Sequence, residues 1–231
     1  MTLLEICLED VAGASIAERC SADRIELCTD LAHGGTTAAL DTVAAVLGSI
    51  TAIGVQLLIR PRPGDFVFTG AEVTAMLRDI EAIGALSRPA GVRVGFVIGA
   101  LTDDGRVDVP VLTRLLRACG PVPVTFHRAF DAVADQGRAL ETLIELGVDR
   151  VLTSGGQLAA QAGTGALAAL VERAGGRISV LAAGGIRAHN VAEIVRRTGV
   201  SEVHLRANSS PDSSLTSEAV VRAVASQLQA G

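Results

Sequence analysis

Short apolar runs alternate with longer amphipathic stretches from one end of the chain to the other. The runs occupy residues 3–8, 24–28, 55–60, 92–98, 122–127, 150–154, 178–183 and 202–205. Eight runs in 231 residues is about one per 29, the spacing of repeated βα units. Helix signals fall between them. Thr69 and Glu72 form a capping box ahead of a helix over 73–86. Asp108 can cap the helix that carries Pro110 in its first turn, and Asp135 the helix over 139–146, which stops at Gly147. Such alternation predicts a parallel sheet with right-handed crossovers. Eight units favour closure into a (β/α)8 TIM barrel, a single domain over residues 1–231, with an open doubly wound sheet as the structural alternative. A weak internal repeat supports the alignment. Ser21-Ala-Asp-Arg-Ile-Glu-Leu-Cys28, Gly147-Val-Asp-Arg-Val-Leu-Thr-Ser154 and Gly199-Val-Ser-Glu-Val-His-Leu-Arg206 each run from a helix stop directly into a strand.

Side chains alternate faces along a strand, so each run divides into two sets. Ile6 and Leu8 share one face of the first run, and Glu5 and Cys7 the other. Ile25 and Leu27 are likewise opposed to Glu26 and Cys28. The apolar face must meet the helices, which turns Glu5, Cys7, Glu26 and Cys28 into the barrel. The same parity points Arg60, His127 and Ser154 inward at the ends of the third, fifth and sixth runs, and His204, with Arg206, inward in the eighth. A barrel that had only to be stable would carry an apolar plug. Inward charges must instead pair with each other, with water or with a ligand. Each residue alone is equally compatible with a self-satisfied network under a loop. The whole ring, at the carboxyl ends of the strands, points to function.

Composition narrows the classes. Hydrophobic residues make up 49% of the chain, enough for a large core and too many for a disordered one. The net charge is −5, no basic run occurs, and the aromatics are five Phe with no Trp or Tyr, which speaks against nucleic-acid binding. No stretch approaches the roughly 20 apolar residues of a membrane span. Met1-Thr2-Leu3-Leu4-Glu5 lacks a basic leader and already reads as strand, so no signal peptide is expected. Four dispersed cysteines, Cys7, Cys20, Cys28 and Cys119, read as reduced thiols of the cytosol. Every basic residue is Arg, and the absence of Lys excludes Schiff-base chemistry.

Seven motifs occur in order: Glu5-Ile-Cys7, Ala22-Asp-Arg-Ile-Glu-Leu-Cys28, Gly34-Gly-Thr-Thr37, Ile59-Arg-Pro-Arg62 with Gly64-Asp-Phe66, Thr125-Phe-His-Arg-Ala-Phe-Asp131, Val151-Leu-Thr-Ser-Gly155 and Gly184-Gly-Ile186. Together they resemble the CutC family, named for copper homeostasis, over about residues 4–208, with a C-terminal helix after them. The resemblance implies an α/β barrel, a cytoplasmic location and a homo-oligomer. It also maps the family's two proposed Cu(I) thiol ligands onto Cys7 and Cys28. The chain departs from the family pattern in two places. Leu205-Arg206-Ala207 follows the strand-8 His where small residues are usual, and Ala183-Gly184-Gly185 replaces a glycine triplet. Both changes tell against easy backbone binding of an anion at strands 7 and 8.

Two functions remain. In the first, Cys7 and Cys28 end adjacent parallel strands about 4.8 Å apart, so their sulfurs can meet. Soft thiolates favour Cu(I), with His127 or His204 adding a nitrogen. The plain alternative is a pair of inert core thiols, and a disulfide is geometrically allowed but disfavoured in a reducing compartment. Cys20 and Cys119, at helix C-termini, take no role. In the second, the barrel is an enzyme of unassigned reaction on a small anion, a phosphate or carboxylate metabolite. Glu5, Glu26 and His127 are then the catalytic candidates, and Arg60, Arg62, Arg128, Ser154, Gly184, Gly185 and His204 the substrate-binding ones. Gly34-Gly35 and Gly184-Gly185 precede helices and can offer amides to the anion, and the loop 61–70 is long enough for a lid. No P-loop or GxGxxG is present, so no nucleotide cofactor is expected. A pure interaction scaffold explains the fold but not the inward polar ring.

Overall fold

The computed structural model describes residues 2–87, 91–210 and 213–229. Strands and helices alternate throughout: β1 (Leu3–Leu8), α1 (Val11–Arg19), β2 (Arg24–Leu27), α2 (Leu40–Ser49), β3 (Gly54–Leu58), α3 (Gly70–Ser87), β4 (Val94–Ile98) and α4 (Val109–Cys119). The second half repeats the plan with β5 (Val124–Phe126), α5 (Gln136–Glu145), β6 (Arg150–Thr153), α6 (Thr164–Ala174), β7 (Ser179–Ala182), α7 (Val191–Thr198), β8 (Glu202–Arg206) and α8 (Glu218–Gln229). All pairings are parallel and the sheet closes in chain order, because β1 pairs with both β2 and β8. The open-sheet alternative is thereby excluded, and the fold is the TIM barrel that the run spacing predicts.

Local chemistry sets the element ends. The Thr69 amide donates to Glu72 Oε2 at 2.7 Å and the Glu72 amide to Thr69 Oγ1 at 3.3 Å, the reciprocal capping box at the start of α3. Asp108 and Asp135 accept from the amides of Val111 and Arg138 at 3.0 and 2.9 Å. Helix α5 consequently begins at Gln136, ahead of the expected residue 139, because the cap fixes a polar first turn that apolar periodicity cannot register. Strands β2, β3, β5 and β6 end before Cys28, Arg60, His127 and Ser154. Those residues stand just past the ladder, where the backbone turns over the barrel rim.

The division into two faces holds. Ile6, Leu8, Ile25 and Leu27 belong to the large apolar layer between strands and helices. Each fully buried aliphatic side chain of that layer contributes roughly 1.5–3 kcal/mol. Inside the barrel only two small apolar clusters exist among the described residues: Cys7, Cys28, Leu58 and Val97, and Leu152, Leu181 and Ala183. The rest of the interior is polar. No described helix is long and apolar enough to cross a membrane.

Candidate functional site

Register brings the inward residues of β8, β1 and β2 side by side. Glu5 lies opposite Arg24 on one side and His204 on the other, and Cys7 lies opposite Glu26 and Arg206. Deep in the barrel the Arg24 guanidinium donates to Glu5 and to Glu202, and Arg150 reaches Glu202 at 3.4 Å. His204 Nδ1 meets the other Glu5 oxygen at 2.7 Å. Burial opposes the charge on Glu5, but the His204 hydrogen bond and Arg24 outweigh it and hold the carboxyl at about 2. Both Glu5 oxygens are spent, and the group is too weak a base for proton transfer near neutrality. Glu5 is therefore a counter-ion beneath the site, which corrects its expected catalytic role. Arg24, Arg150 and Glu202 escaped the sequence reading, although the parity that places Glu26 and His204 inward places them inward as well. The opposite mouth of the barrel opens a hollow of 740 Å³ lined by Arg24 and Arg150 of this network and by the neutral Gln56.

Above the network lies a cavity of 340 Å³ at the carboxyl ends of the strands. Cys7, Cys28, Glu26 and His204 line its deep side. The two sulfurs are 3.7 Å apart, both thiols are free, and Cys28 also contacts the Leu8 carbonyl at 3.6 Å. His204 Nε2 stands 3.6 Å from Glu26 Oε2. Ligand atoms of Cys7, Glu26 and His204 all fall within 4.8 Å of one another. Contact with Cys28, then burial and the nearby Glu26, push the Cys7 thiol up. The Cys7 contact pulls the Cys28 thiol down, and burial with Glu26 nearby overrides it, so this thiol also rises. Burial raises Glu26. It works against a charged His204, yet Cys7, Glu26 and Glu5 more than compensate and keep the ring protonated well above its ordinary range. Without a ligand the cluster thus holds two neutral thiols beside an imidazolium.

His127 lines the far side of the cavity and is 4% exposed. Its Nδ1 accepts from the Ala129 amide at 3.2 Å, and burial with the Arg60 charge pushes its pKa down to about 3. The neutral ring must then carry its proton on Nε2, which has no partner among the described residues. Phe66 packs against the ring with centroids 5.0 Å apart.

The arginines divide differently from expectation. Arg60 is buried, but its Nη1 donates to the Gly34 and Gly35 carbonyls at 3.0 Å each and its Nη2 to Gly64 at 2.7 Å. It latches two loops together while lining the cavity, and its buried Nε has no partner among the described residues. Arg62 does not line the cavity. Its Nε reaches Glu72 at 2.6 Å and its Nη2 Asp65 at 2.8 Å, so the substrate contact expected of it is corrected to a loop ion pair. Ser154 is fully buried, taking Arg128 Nη2 at 2.8 Å and lying 3.0 Å from Asp131 Oδ2, and it does not reach the cavity. Arg128 does reach it, held by Asp131 at 2.8 Å. Gly184 and Gly185 line the wall as expected, with φ of 96° and 68°. Arg187 and Asn208 line it too, and neither was foreseen. Both stand in loops, where strand parity gives no signal.

Comparison with known proteins agrees with this fold. A family model described as "CutC family" matches residues 2–209. The human copper homeostasis protein cutC homolog is 44% identical over 213 residues, 92% of this chain and 76% of the human protein. A CutC family protein of Caulobacter vibrioides is 46% identical over 202 residues, 87% of this chain and 80% of that one. The crystal structure of CutC from Streptococcus agalactiae superposes with a TM-score of 0.82 at 32% identity, covering 88% of this chain and 98% of that one. Phosphoribosyl anthranilate isomerase from Thermotoga maritima superposes over 100% of both chains with a TM-score of 0.66, but at 10% identity it shares the barrel alone.

Proposed function

Because this chain belongs to the CutC family, we propose that it is a copper-homeostasis protein that holds Cu(I) between Cys7 and Cys28. The observation that carries the reading is the meeting of the two sulfurs at 3.7 Å on the cavity wall, with an imidazole and a carboxylate beside them. Two thiols and a nitrogen are a soft donor set, suited to Cu(I) and unsuited to Mg²⁺ or Ca²⁺, which demand oxygen. The sulfur separation is less than twice a metal–sulfur bond of about 2.3 Å, so an ion bound to both stands off the line joining them. That position leaves a third place for His204 Nε2 or Glu26. Loading displaces the thiol protons, and the imidazolium proton too where His204 becomes a ligand. Glu5, already hydrogen-bonded to Nδ1, then orients the ring as metal-bound histidines require.

Apolar packing of the thiols against Leu58 and Val97 is what an inert core pair also has. The adjacent carboxylate and histidine are what such a pair does not need. An acid–base enzyme is the weaker reading, because Glu5 is locked in ion pairs and His127 is held neutral to about pH 3. Cytoplasmic location and self-association belong to the same proposal, on family resemblance. X-ray absorption of the Cu(I)-loaded protein tests the site. Two sulfur neighbours at copper are expected, and a shell of oxygen and nitrogen without sulfur sinks the assignment.

A further inference from the structure

The thiol cluster occupies one side of a cavity much larger than a metal ion needs, since a water molecule takes about 30 Å³ and the cavity holds 340 Å³. The rest of the charged lining is cationic. Four arginines line the cavity against a single carboxylate, Glu26. Two of the four already have most of their guanidinium nitrogens engaged, Arg60 by three carbonyls, which leaves only its buried Nε unpartnered, and Arg128 by Asp131 and Ser154. The other two are Arg187, in the loop after β7, and Arg206, the last residue of β8. Arg187 makes no ion pair among the described residues. Its Nη1 donates to the Ile186 carbonyl at 2.8 Å and its Nη2 to Asn208 Oδ1 at 3.1 Å. These neutral acceptors fix the guanidinium without cancelling its charge. Arg206 donates from Nη2 to the Ser213 carbonyl at 3.1 Å and keeps Glu9 at 3.8 Å, while its Nε is buried without a partner.

The backbone beside them is open as well. Among the described residues no acceptor meets the amides of Gly184 or Gly185. Positive φ at both positions favours glycine, and a Cβ on Gly184 would come within 3.2 Å of the Ser154 side chain. The bare backbone lets this turn pack against Ser154 and Ala159 behind the cavity wall. His127, more than nine-tenths buried, lines the same space, though its unpartnered Nε2 is itself buried. Between these groups Leu58, Phe66 and Leu152 give the cavity an apolar surface.

We propose that the wall formed by Gly184, Gly185, Arg187 and Arg206 binds the phosphate group of a small organic phosphate ester. A phosphate presents three oxygens in a tetrahedral array, which two guanidiniums and two neighbouring amides can meet from different directions. A planar carboxylate uses fewer of them. In parallel barrels the loops after strands 7 and 8 frequently form a phosphate site. The departure at Leu205-Arg206 therefore replaces backbone donors by a guanidinium rather than abolishing the site. The apolar surface and the spare volume accommodate the organic part. This proposal does not rest on copper binding, though the two ligands share one cavity.

Calorimetric titration of the metal-free full chain with glycerol 3-phosphate, orthophosphate and succinate tests it. Wild type is compared with Arg187→Gln, the double variant Arg187→Gln, Arg206→Gln, and Cys7→Ser, Cys28→Ser. Glycerol 3-phosphate should bind more tightly than orthophosphate, and succinate more weakly than either. Arg187→Gln should weaken the ester about tenfold or more and the double variant further, as lost charge-assisted contacts do. The cysteine variant should bind it as wild type does, which separates this site from the copper reading. Arg187 bonds only to neutral groups and is partly exposed, so its variant should fold even if that of Arg206 does not. Failure of both phosphates to bind, succinate binding as tightly, or ester affinity unchanged in Arg187→Gln overturns the proposal. Orthophosphate binding as tightly as the ester overturns the organic part of it.

Discussion

Replacing His127 by Asn isolates a single protonation event. In the folded chain the ring is buried, its Nδ1 takes the Ala129 amide, and burial with Arg60 holds its pKa at about 3 against the ordinary 6.5. The unfolded chain therefore takes up a proton as pH falls through 6.5 and the folded chain does not. Stability from this residue is intact above 6.5 and lost progressively as pH falls toward 3. The linkage relation puts the loss at about 2 kcal/mol by pH 5 and about 4 kcal/mol by pH 3. At pH 5 any folded value below about 4 gives nearly the same figure, because protonation of the unfolded chain dominates the ratio. Asn Oδ1 can accept from the Ala129 amide as Nδ1 does, so the variant removes the titration and keeps the local turn. Urea unfolding of both proteins at pH 7.5 and pH 5 is the assay. The stability of the variant relative to wild type should improve by about 2 kcal/mol on going to the lower pH. Glu5, His204 and the other titrating groups are common to both proteins and cancel in the difference. A difference independent of pH would refute the reasoning, since the folded ring would then be taking up its proton normally.

Three further outcomes follow from the site. Glu5→Gln should cost about 3–5 kcal/mol in chemical denaturation, because Arg24 and His204 lose a buried counter-charge; a cost below about 1 kcal/mol contradicts the network. In wild type the Glu5 contribution is present above its ordinary 4.5 and disappears as pH falls toward 2, so the variant should flatten the acid limb of stability. Gly163→Ala should prevent folding or sharply lower Tm, since its Cβ would stand 1.9 Å from the Ser154 carbonyl oxygen; an unchanged Tm excludes this backbone crossing. Cu(I) affinity should rise with pH below the range of the thiols, by up to about tenfold per pH unit for each proton displaced, and pH-independent affinity contradicts thiol ligation.

Barrel architecture was readable because eight apolar runs recur at one spacing and the fold has few other ways to use them. Strand parity was equally readable. Ile6 and Ile25 face the helices, and Cys7, Glu26 and His204 face the interior, as alternation requires. What parity cannot tell is where a long side chain ends. Arg60 points inward, but its guanidinium bends to three loop carbonyls, and Arg62 two residues later spends its charge on Asp65 and Glu72. Those partners are set by loop paths that no periodicity encodes. Loop geometry also hid Arg187 and Asn208, which reach the cavity from turns after β7 and β8. Arg24 and Glu202 were hidden for another reason: each begins an apolar run, where a charge reads as a boundary rather than as a buried partner.

The central claim is that Cys7 and Cys28 are a metal-binding pair rather than core filler. Anaerobic titration of the reduced protein with Cu(I) against a colorimetric chelator, beside the Cys7→Ser, Cys28→Ser variant, tests it most directly. Tight uptake of one ion per chain in wild type, lost in a variant that still folds, is the predicted result. Uptake that is weak in wild type, or equally strong without the two sulfurs, contradicts the account and returns both cysteines to the barrel core.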